Sequence, residues 1–208
     1  MNIEAIPTGA FEEICYIVWN SNNQALVFDP GFDADLIQKM LDKHTLQVAA
    51  YICTHAHADH INALAEIYRR HPAPIAMHSN DLAWAFEAVN QIEPYYPVPQ
   101  RPDIDRFLLL ETATDWSLTT DLRFHCLETP GHTPGSCCLL FDESEIMITG
   151  DTLFKGSCGR TDLPGGNARQ LKGSLNKLKQ LPDTVRIYPG HGPDSSIGIE
   201  RQTNFFMQ

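Results

Sequence analysis

Apolar and polar positions along the chain predict strands and helices. Runs rich in β-branched and aromatic residues, nearly all followed by a turn signal, predict strands at 14–19, 25–28, 48–53, 122–127, 137–141, 145–149 and 184–188. Helical spacing, clearest where Leu171, Leu175 and Leu178 recur, predicts helices at 33–44, 61–70, 81–89 and 167–180. Because strands both follow one another and alternate with helices, we expect sheets with helices packed outside them.

Length and proline content bear on domain organisation. Residues 91–105 contain Pro94, Pro97, Pro99 and Pro102, which is typical of a surface loop rather than of a linker. With 208 residues, of which 43% are hydrophobic and 20% charged, the chain can bury one sizeable core but is short for two full domains. We therefore expect a single domain over residues 1–208.

The charge balance excludes several partners. The chain has 26 acidic residues against 15 Lys and Arg, a formal net charge of −11 at pH 7. Such a chain repels polyanions, so we expect neither a nucleic-acid partner nor an anionic membrane surface.

The start lacks the pattern of an export signal, and the apolar runs are too short to cross a bilayer. Six cysteines without CxxC spacing fit a reduced compartment, which predicts a cytoplasmic protein.

The candidate chemistry lies in the histidines, of which the chain has nine. The sequence Thr-His-Ala-His-Ala-Asp-His occupies positions 54–60, directly after a predicted strand. His55 and His57 point the same way from an extended segment, whereas Asp59 and His60 turn at the start of the next helix, so the loop can present two clusters of donors. These groups suit zinc, and also iron or manganese. A polar turn with chance histidines is disfavoured, because burying such groups without partners is costly.

Three further potential ligands each lie beside glycine after a predicted strand, namely His132, Asp151 and His191. Any one of them alone is weak evidence, since a histidine beside glycine is more often a turn residue with its own hydrogen bond. Open sheets place ligand groups at strand ends, so four such loops together predict one metal site at an edge of the sheets.

In this order the seven side chains resemble the metal signature of the metallo-β-lactamase fold superfamily, over essentially the whole chain. The resemblance implies a four-layer αββα sandwich with a dinuclear site in a groove along one edge. It implies a first triad that holds one metal, formed by His55, His57 and His132. It implies a second triad that holds the other, formed by Asp59, His60 and His191, with Asp151 bridging the two metals.

Differences between this sequence and known groups of the superfamily narrow the range of possible functions. β-Lactamases of the commonest class have a cysteine where Asp151 stands, which disfavours antibiotic hydrolysis. The diiron oxygen-reducing members have glutamate where His57 stands and carry a flavin domain, for which this chain has no length. Nucleases of the fold need an added nucleic-acid element, which the net charge disfavours.

The loop at residues 150–162 is similar to that of type II glyoxalases, which hydrolyse S-2-hydroxyacylglutathione thioesters such as S-lactoylglutathione, and to that of persulfide dioxygenases. By this resemblance Arg160 matches the position that contacts the glycine carboxylate of glutathione; a structural salt bridge is the alternative. Asp162 and Pro193 stand where larger glyoxalases have tyrosines, and the chain ends without their helical C-terminal domain. The chain therefore looks most like short bacterial glyoxalase II-like hydrolases, with glutathione recognition left open.

The expected reaction is hydrolysis of a small anionic thioester. Two cations that share a water lower its pKa towards neutrality and would give a hydroxide nucleophile, which Asp59 would orient as the catalytic residue. The thiolate leaves without a general acid because a thiol has a pKa of about 8.5. The alternative is an oxidoreductase, a persulfide dioxygenase with one iron held by His55, His132 and Asp151. A non-catalytic binding module is the third class, disfavoured by seven convergent donors.

The remaining polar and aromatic residues have less specific interpretations. Asp29, which ends a predicted strand, either supports the metal site from behind or forms a turn. Ordinary surface or hydrogen-bonded histidines are expected at His44, His71, His78 and His125. Packing is expected for the aromatic residues around the proline-rich loop, with a substrate lid as the alternative: Trp84, Phe86, Tyr95 and Tyr96.

Overall fold

A computed structural model describes residues 1–113, 115–119 and 121–208. Its strands are β1 (Asn2–Thr8), β2 (Glu13–Trp19), β3 (Gln24–Phe28), β4 (Gln47–Ile52), β5 (Ile75–Met77), β6 (Leu108–Leu109), β7 (Asp115–Ser117), β8 (Arg123–Glu128), β9 (Cys137–Phe141), β10 (Ile146–Gly150), β11 (Leu153–Phe154), β12 (Ser157–Cys158), β13 (Arg186–Pro189) and β14 (Ser195–Ser196). Its helices are α1 (Ala34–Lys43), α2 (Ala58–Ile61), α3 (Leu64–Arg70), α4 (Ser79–Leu82), α5 (Ala168–Leu178) and α6 (Ile197–Thr203). Short 3₁₀ turns lie at Ala88–Asn90, Leu110–Thr112, Asp142–Ser144 and Phe205–Met207.

The strands of the described ranges form two mixed sheets of six strands each and one small hairpin. The first sheet has the order β1-β2-β3-β4-β5-β6 and the second β14-β13-β10-β9-β8-β7, while β11 pairs with β12. In the first sheet β3, β4, β5 and β6 are joined by parallel pairs. Parallel neighbours need a crossover connection, and α1 supplies it between β3 and β4, as α2 and α3 do between β4 and β5.

The two sheets pack face to face because their strands alternate in side-chain direction. On β2, Tyr16 and Val18 join Phe124 and Leu139 of the second sheet in the core between the sheets. Ile17, between them in sequence, faces the opposite side and belongs to the cluster that α1, α2 and α3 cover. Each such side chain contributes about 1.5–3 kcal/mol when fully buried.

Helices cover the outer face of each sheet. Ile37 of α1 and Leu64 of α3 pack on the first sheet, and Leu171 and Leu175 of α5 pack with Ile187 on the second. The order of layers is therefore helix, sheet, sheet, helix, and the expected αββα sandwich is confirmed. No helix of the described ranges has both the length and the apolar character that crossing a bilayer requires.

Most predicted elements are present with their ends shifted by one or two residues. The helix expected at 61–70 is preceded by a separate turn, α2, which carries two of the candidate ligands. The helix expected at 81–89 is wrong beyond its first two residues: α4 spans Ser79–Leu82, and a 3₁₀ turn follows at Ala88–Asn90. Residues 91–105 are irregular, as expected, apart from an isolated bridge between Ile92 and Tyr96.

Candidate metal centre

The candidate ligands lie at one edge of the sandwich because the strands before them end there. β8, β10 and β13 run in the same direction in the second sheet, so the loops that follow them share an edge. The first sheet contributes the loop after β4, which is joined to the second sheet where the amide of Cys137 donates to the Thr54 carbonyl at 2.9 Å. This edge brings together all seven side chains that the sequence analysis singled out as metal ligands.

The first triad is a tight cluster of three buried imidazoles. His57 Nδ1 lies 3.1 Å from His55 Nε2 and 2.9 Å from His132 Nε2. Nitrogen ligands at about 2.0–2.1 Å around a tetrahedral zinc ion would lie roughly 3.3 Å from one another. The three nitrogen atoms therefore have close to the spacing that a single ion imposes on its ligands.

The second triad combines a carboxylate with two imidazoles. His191 Nε2 lies 3.4 Å from Asp59 Oδ2, and His60 completes a group whose donor atoms all fall within 4.8 Å of one another. Asp59 and His60 come from the single turn of α2, which begins at Ala58 directly after the extended residue His57. The change from strand to helix thus divides one sequence motif between two clusters.

Asp151 lies between the two triads. Its Oδ1 is 3.4 Å from His60 Nε2, and its Oδ2 is 3.4 Å from His132 Nε2 and 3.7 Å from His191 Nε2. A Cβ atom at position 190 would collide with Asp151 Oδ1 and lie 2.7 Å from His60 Cε1, so only Gly190 leaves room for this approach. The position fits a carboxylate shared by two ions.

Backbone carbonyl groups orient two of the imidazoles. His132 Nδ1 is 2.8 Å from the carbonyl oxygen of Arg160, and His191 Nδ1 is 3.1 Å from that of Phe11. Because a carbonyl oxygen can only accept, each Nδ1 must carry the proton, which leaves the lone pair of Nε2 directed into the cluster.

Asp29 orients the other side of the cluster. Its carboxylate accepts hydrogen bonds from the amide and the hydroxyl of Thr54, both at 2.6 Å, and from His60 Nδ1 at 3.0 Å. The Thr54 hydroxyl oxygen is also 3.1 Å from His55 Nδ1. Asp29 can be grouped with His55 and His60 as a third set of donors, but its oxygen atoms are already used. Of the two interpretations of Asp29, the structure favours support of the site from behind.

Buried polar atoms without hydrogen-bond partners indicate whether the two triads and Asp151 suit a bound cation. His60 Nε2 and Asp151 Oδ1 are buried and have no hydrogen-bond partner. Leaving such an atom unsatisfied costs about 1–3 kcal/mol, and more when it is charged. Both atoms point into the space between the triads, so divalent cations held there would satisfy them. The donor set therefore fits a metal centre.

Comparison with known proteins agrees with the fold. Residues 9–191 match the profile of the "Metallo-beta-lactamase superfamily". The chain belongs to the metallo-β-lactamase superfamily. Members of this superfamily are generally hydrolases, and they bind metal at a dinuclear site.

Two full-length relatives are named as hydrolases. The chain is 31% identical over 211 residues to "Hydroxyacylglutathione hydrolase GloC" of Haemophilus influenzae, covering 100% of this chain and 98% of the relative. It is 33% identical over 215 residues to "Probable metallo-hydrolase YqgX" of Bacillus subtilis, again covering 100% and 98%.

Three solved structures of the superfamily resemble the fold. BLEG-1, named a B3 metallo-β-lactamase, has a TM-score of 0.90 and 31% identity over 99% of both chains. TTHA1623 in a di-iron-bound form has a TM-score of 0.84 and 32% identity, over 98% of this chain and 99% of that one. ETHE1 from Myxococcus xanthus has a TM-score of 0.74 and 27% identity, over 99% and 84%.

The two triads of this superfamily member differ in their electrostatics. Burial, together with the neighbouring imidazoles, lowers the pKa of His55 well below its ordinary value and that of His57 to about 3. Burial also lowers the pKa of His60 and His191, but contacts with Asp59 and Asp151 outweigh it, so both pKa values lie above the ordinary one. In the absence of metal, His55 and His57 of the first triad are neutral at pH 7, whereas His60 in the second is protonated.

The two carboxylates remain ionised. Burial raises the pKa of Asp59 and Asp151, but His60 and the neighbouring imidazoles outweigh burial and hold both pKa values below the ordinary one. The centre therefore offers negative charge between the triads and in the second triad, and none within the first.

Arg160 forms a salt bridge with its side chain and contacts the metal centre with its main chain. Its exposed guanidinium pairs with Asp162 through Nε and Nη2, at 2.6 and 2.8 Å, which is the salt bridge weighed as the alternative. Its carbonyl oxygen touches the metal centre through His132. The carbonyl contact was not anticipated. Every residue has a main-chain carbonyl group, so the identity of a residue does not indicate that its carbonyl accepts a hydrogen bond.

Asp81 supports the metal centre and was missed by the sequence analysis. This buried carboxylate accepts hydrogen bonds from the amide of Ala56 at 3.0 Å, the amide of Gly135 at 2.7 Å and the hydroxyl of Thr133 at 2.7 Å. It thereby joins the loop of His55 and His57 to the loop of His132. No motif surrounds Asp81, and its burial is the signal that singles it out.

The other histidines lie outside the metal centre, as expected. His71 bonds Gln38, and the remaining three contact acidic side chains: His44 with Glu4, His78 with Glu111 and Glu128, and His125 with Asp115 and Asp142. The expected packing of aromatic residues holds for Tyr96, which is buried, and for Trp84 and Phe86, which pack on the core. Tyr95 is 54% exposed.

Proposed function

We propose that this superfamily member is a metal-dependent hydrolase of thioesters, similar to type II glyoxalases, with S-2-hydroxyacylglutathiones such as S-lactoylglutathione as its reference substrates. One observation carries the proposal: two triads of donors share Asp151. The end-to-end similarity to a relative named hydroxyacylglutathione hydrolase supports the thioester.

We infer that each triad holds one divalent cation and that Asp151 contributes to both. Imidazole and carboxylate donors suit zinc first, and iron or manganese as well; the likeness to a structure in a di-iron-bound form supports iron as an alternative. When bound, two such cations supply Lewis acidity and lower the pKa of a shared water to near neutrality.

Asp59 has the properties of the catalytic residue. Its carboxylate is ionised and 6% exposed, so it can accept a hydrogen bond from the attacking water and orient the oxygen towards the thioester carbon. A C–O bond forms, the C–S bond breaks, and the sulfur leaves as a thiolate, which needs no proton donor because a thiol has a pKa of about 8.5. At pH 7 the products are a carboxylate, a thiol and one released proton.

We extend the proposal to the setting of the enzyme. Residues 1–208 would form one domain, and the six free cysteines, five of them buried, support a reducing compartment such as the cytoplasm. A small anionic substrate suits a centre with two cations, and Arg160 is the side chain that would contact a glutathione carboxylate. The acidic net charge supports the absence of a nucleic-acid partner.

A persulfide dioxygenase is the second candidate function. The likeness to ETHE1 favours it, and His55, His132 and Asp151 would form a two-histidine, one-carboxylate iron site. The ligand residues do not separate the two functions, because persulfide dioxygenases use that subset while retaining the other motif residues; metal content separates them.

Metal analysis and activity assays on protein purified without oxygen distinguish these functions. We expect about two metal ions per chain and loss of the thioester absorbance of S-lactoylglutathione. One iron per chain together with oxygen uptake on glutathione persulfide would contradict the hydrolase and support the dioxygenase. The presence of Asp151 in place of a cysteine disfavours only the commonest class of β-lactamase. Because BLEG-1 is named a B3 metallo-β-lactamase, the assay should also include a β-lactam. Turnover of the β-lactam alone would also contradict the proposal.

A further inference from the structure

An apolar pocket opens directly beside the first triad. Its volume is about 450 Å³, within the range of about 300–1,000 Å³ that is usual for small-molecule sites. His57 forms part of its wall. The apolar side chains of the pocket are Trp84, Val89, Ile92, Pro134, Leu163 and Pro164. Whatever occupies the pocket therefore lies next to a residue of the first triad.

The walls of this pocket are fixed to the loops of the metal centre. The buried side chain of Asn90 donates from Nδ2 to the carbonyl groups of Ala56 and Ala85, at 2.6 and 2.7 Å, which ties one wall to the loop that carries His57. On the opposite wall Gly165 has φ of +84°, and a Cβ there would lie 3.0 Å from Pro134 Cδ. The pocket is thus held open by packing and hydrogen bonds.

The pocket carries no charged side chain. None of its lining residues is Asp, Glu, Lys or Arg. The Asn90 amide nitrogen is already occupied. Burying a charge without a partner is strongly unfavourable, so the two carboxylates of glutathione do not fit here, whereas a hydrocarbon chain does. A 2-hydroxyl group would gain little from walls that are mostly apolar.

We propose that this pocket binds the acyl group of the thioester and selects unbranched apolar acyl chains longer than lactoyl, with Trp84 and Leu163 as specificity-determining residues. The inference rests on the proposed thioesterase function and assigns the two ends of its substrate: the acyl group lies on the side of His57, and the thiol carrier lies outside the pocket. Each methylene that enters the pocket should raise kcat/KM about fourfold.

A series of S-acylglutathiones with acetyl, lactoyl, butyryl and hexanoyl groups tests the proposal on the metal-loaded enzyme. We expect kcat/KM to rise from acetyl to hexanoyl and to be lower for lactoyl than for butyryl.

Leu163→Asn, on a half-buried loop position, should lower the hexanoyl-to-acetyl ratio of kcat/KM at least tenfold. Val89→Asn, at a 57% exposed position, provides a second variant should the first fail to fold. Leu36→Asn is the matched control, since Leu36 is 46% exposed on α1 and outside the pocket.

Binding of the product acids gives a readout that does not depend on turnover. We expect hexanoate to bind at least tenfold more tightly than lactate, with a change in the fluorescence of Trp84, whose ring centre lies 5.6 Å from that of His57. Equal efficiency on all thioesters together with equal binding of both acids would overturn the pocket assignment and leave the thioesterase function standing. Failure to hydrolyse any thioester would overturn the thioesterase function and this inference with it.

Discussion

The two triads of the metal centre contrast in how they are prepared for a cation. The first triad contains three imidazoles, and burial keeps His55 and His57 neutral. The second contains Asp59, whose negative charge, with that of Asp151, holds a proton on His60. Burial thus leaves His55 and His57 of the first triad free to accept a cation at pH 7, whereas the second must exchange a proton for its cation.

The partners behind the triads reinforce the contrast. Neutral groups support the first triad, namely the Thr54 hydroxyl at His55 and the Arg160 carbonyl at His132. A carboxylate, Asp29, supports His60 of the second triad. A carboxylate behind a ligating histidine raises its basicity, so the second triad is the more electron-rich side. That side also contains Asp59, the acceptor proposed for the attacking water.

The largest effect is expected from Asp59→Asn, because only the second triad contributes a carboxylate that can orient water. Turnover of a thioester should fall about 1,000-fold, while the first triad keeps its metal and the thermal midpoint changes little. Steady-state kinetics with metal analysis measures both. Asp103→Asn, at an exposed loop position, is the matched control and should behave as wild type. Near-normal turnover with full metal content would remove Asp59 from the mechanism.

A change of pH should separate the triads next. The pKa of His60 lies well above its ordinary value, so below that pKa its ring proton must leave before a cation binds. Asp59 and Asp151 have lowered pKa values and stay ionised. Metal affinity of the second triad should therefore decrease as the pH falls, by up to about tenfold for each unit below the pKa of His60. His55 and His57 of the first triad have lowered pKa values and should add no such dependence.

Calorimetry in two buffers of different ionisation enthalpy checks this pH prediction. The phase assigned to the second triad should release more protons near pH 7 than the phase assigned to the first, because His60 must lose a proton whereas His55 and His57 are already neutral. Equal proton release in both phases would contradict the contrast between the triads.

Asp81→Asn should weaken the first triad alone. Asp81 accepts hydrogen bonds from the loops on both sides of that triad, and loss of such support typically costs about 10–100-fold in metal affinity. We expect a loss of about tenfold for the first cation and little change for the second. Asp29→Asn is the comparison, because Asp29 contacts both Thr54 and His60 and should weaken both sites. Equal losses at both sites in Asp81→Asn would show that the triads are not supported separately.

The sequence indicated the candidate ligands but not the residues that hold them. The strands were predictable because buried strands such as β9 are continuous apolar runs, and the ligand loops were predictable because they follow such strands. Asp81 and Asn90 could not be found in this way. Their partners are distant in sequence, with Asp81 25 residues from Ala56 and 54 from Gly135, so their roles exist only after the sheets have packed.

The elements that were missed are short or lie at sheet edges. β1 is an edge strand that contains Pro7 and leaves several side chains exposed, so its apolar pattern is weak. β6 and β14 have two residues each and form only because a longer strand offers them hydrogen bonds. The split of residues 54–60 between two triads was implied by resemblance, since the end of an extended segment cannot be located from spacing alone.

The smallest effect concerns Arg160, which touches the first triad with its carbonyl group and faces solvent with its guanidinium. Arg160→Ala keeps the carbonyl contact with His132, so metal content should not change. If the guanidinium contacts a glutathione carboxylate, KM for S-lactoylglutathione should rise about threefold, the size expected of an exposed ion pair. Asp162→Ala removes the competing carboxylate and should lower KM, and added salt should reduce both effects. Unchanged KM in both variants would restrict the contribution of Arg160 to the carbonyl group that orients His132.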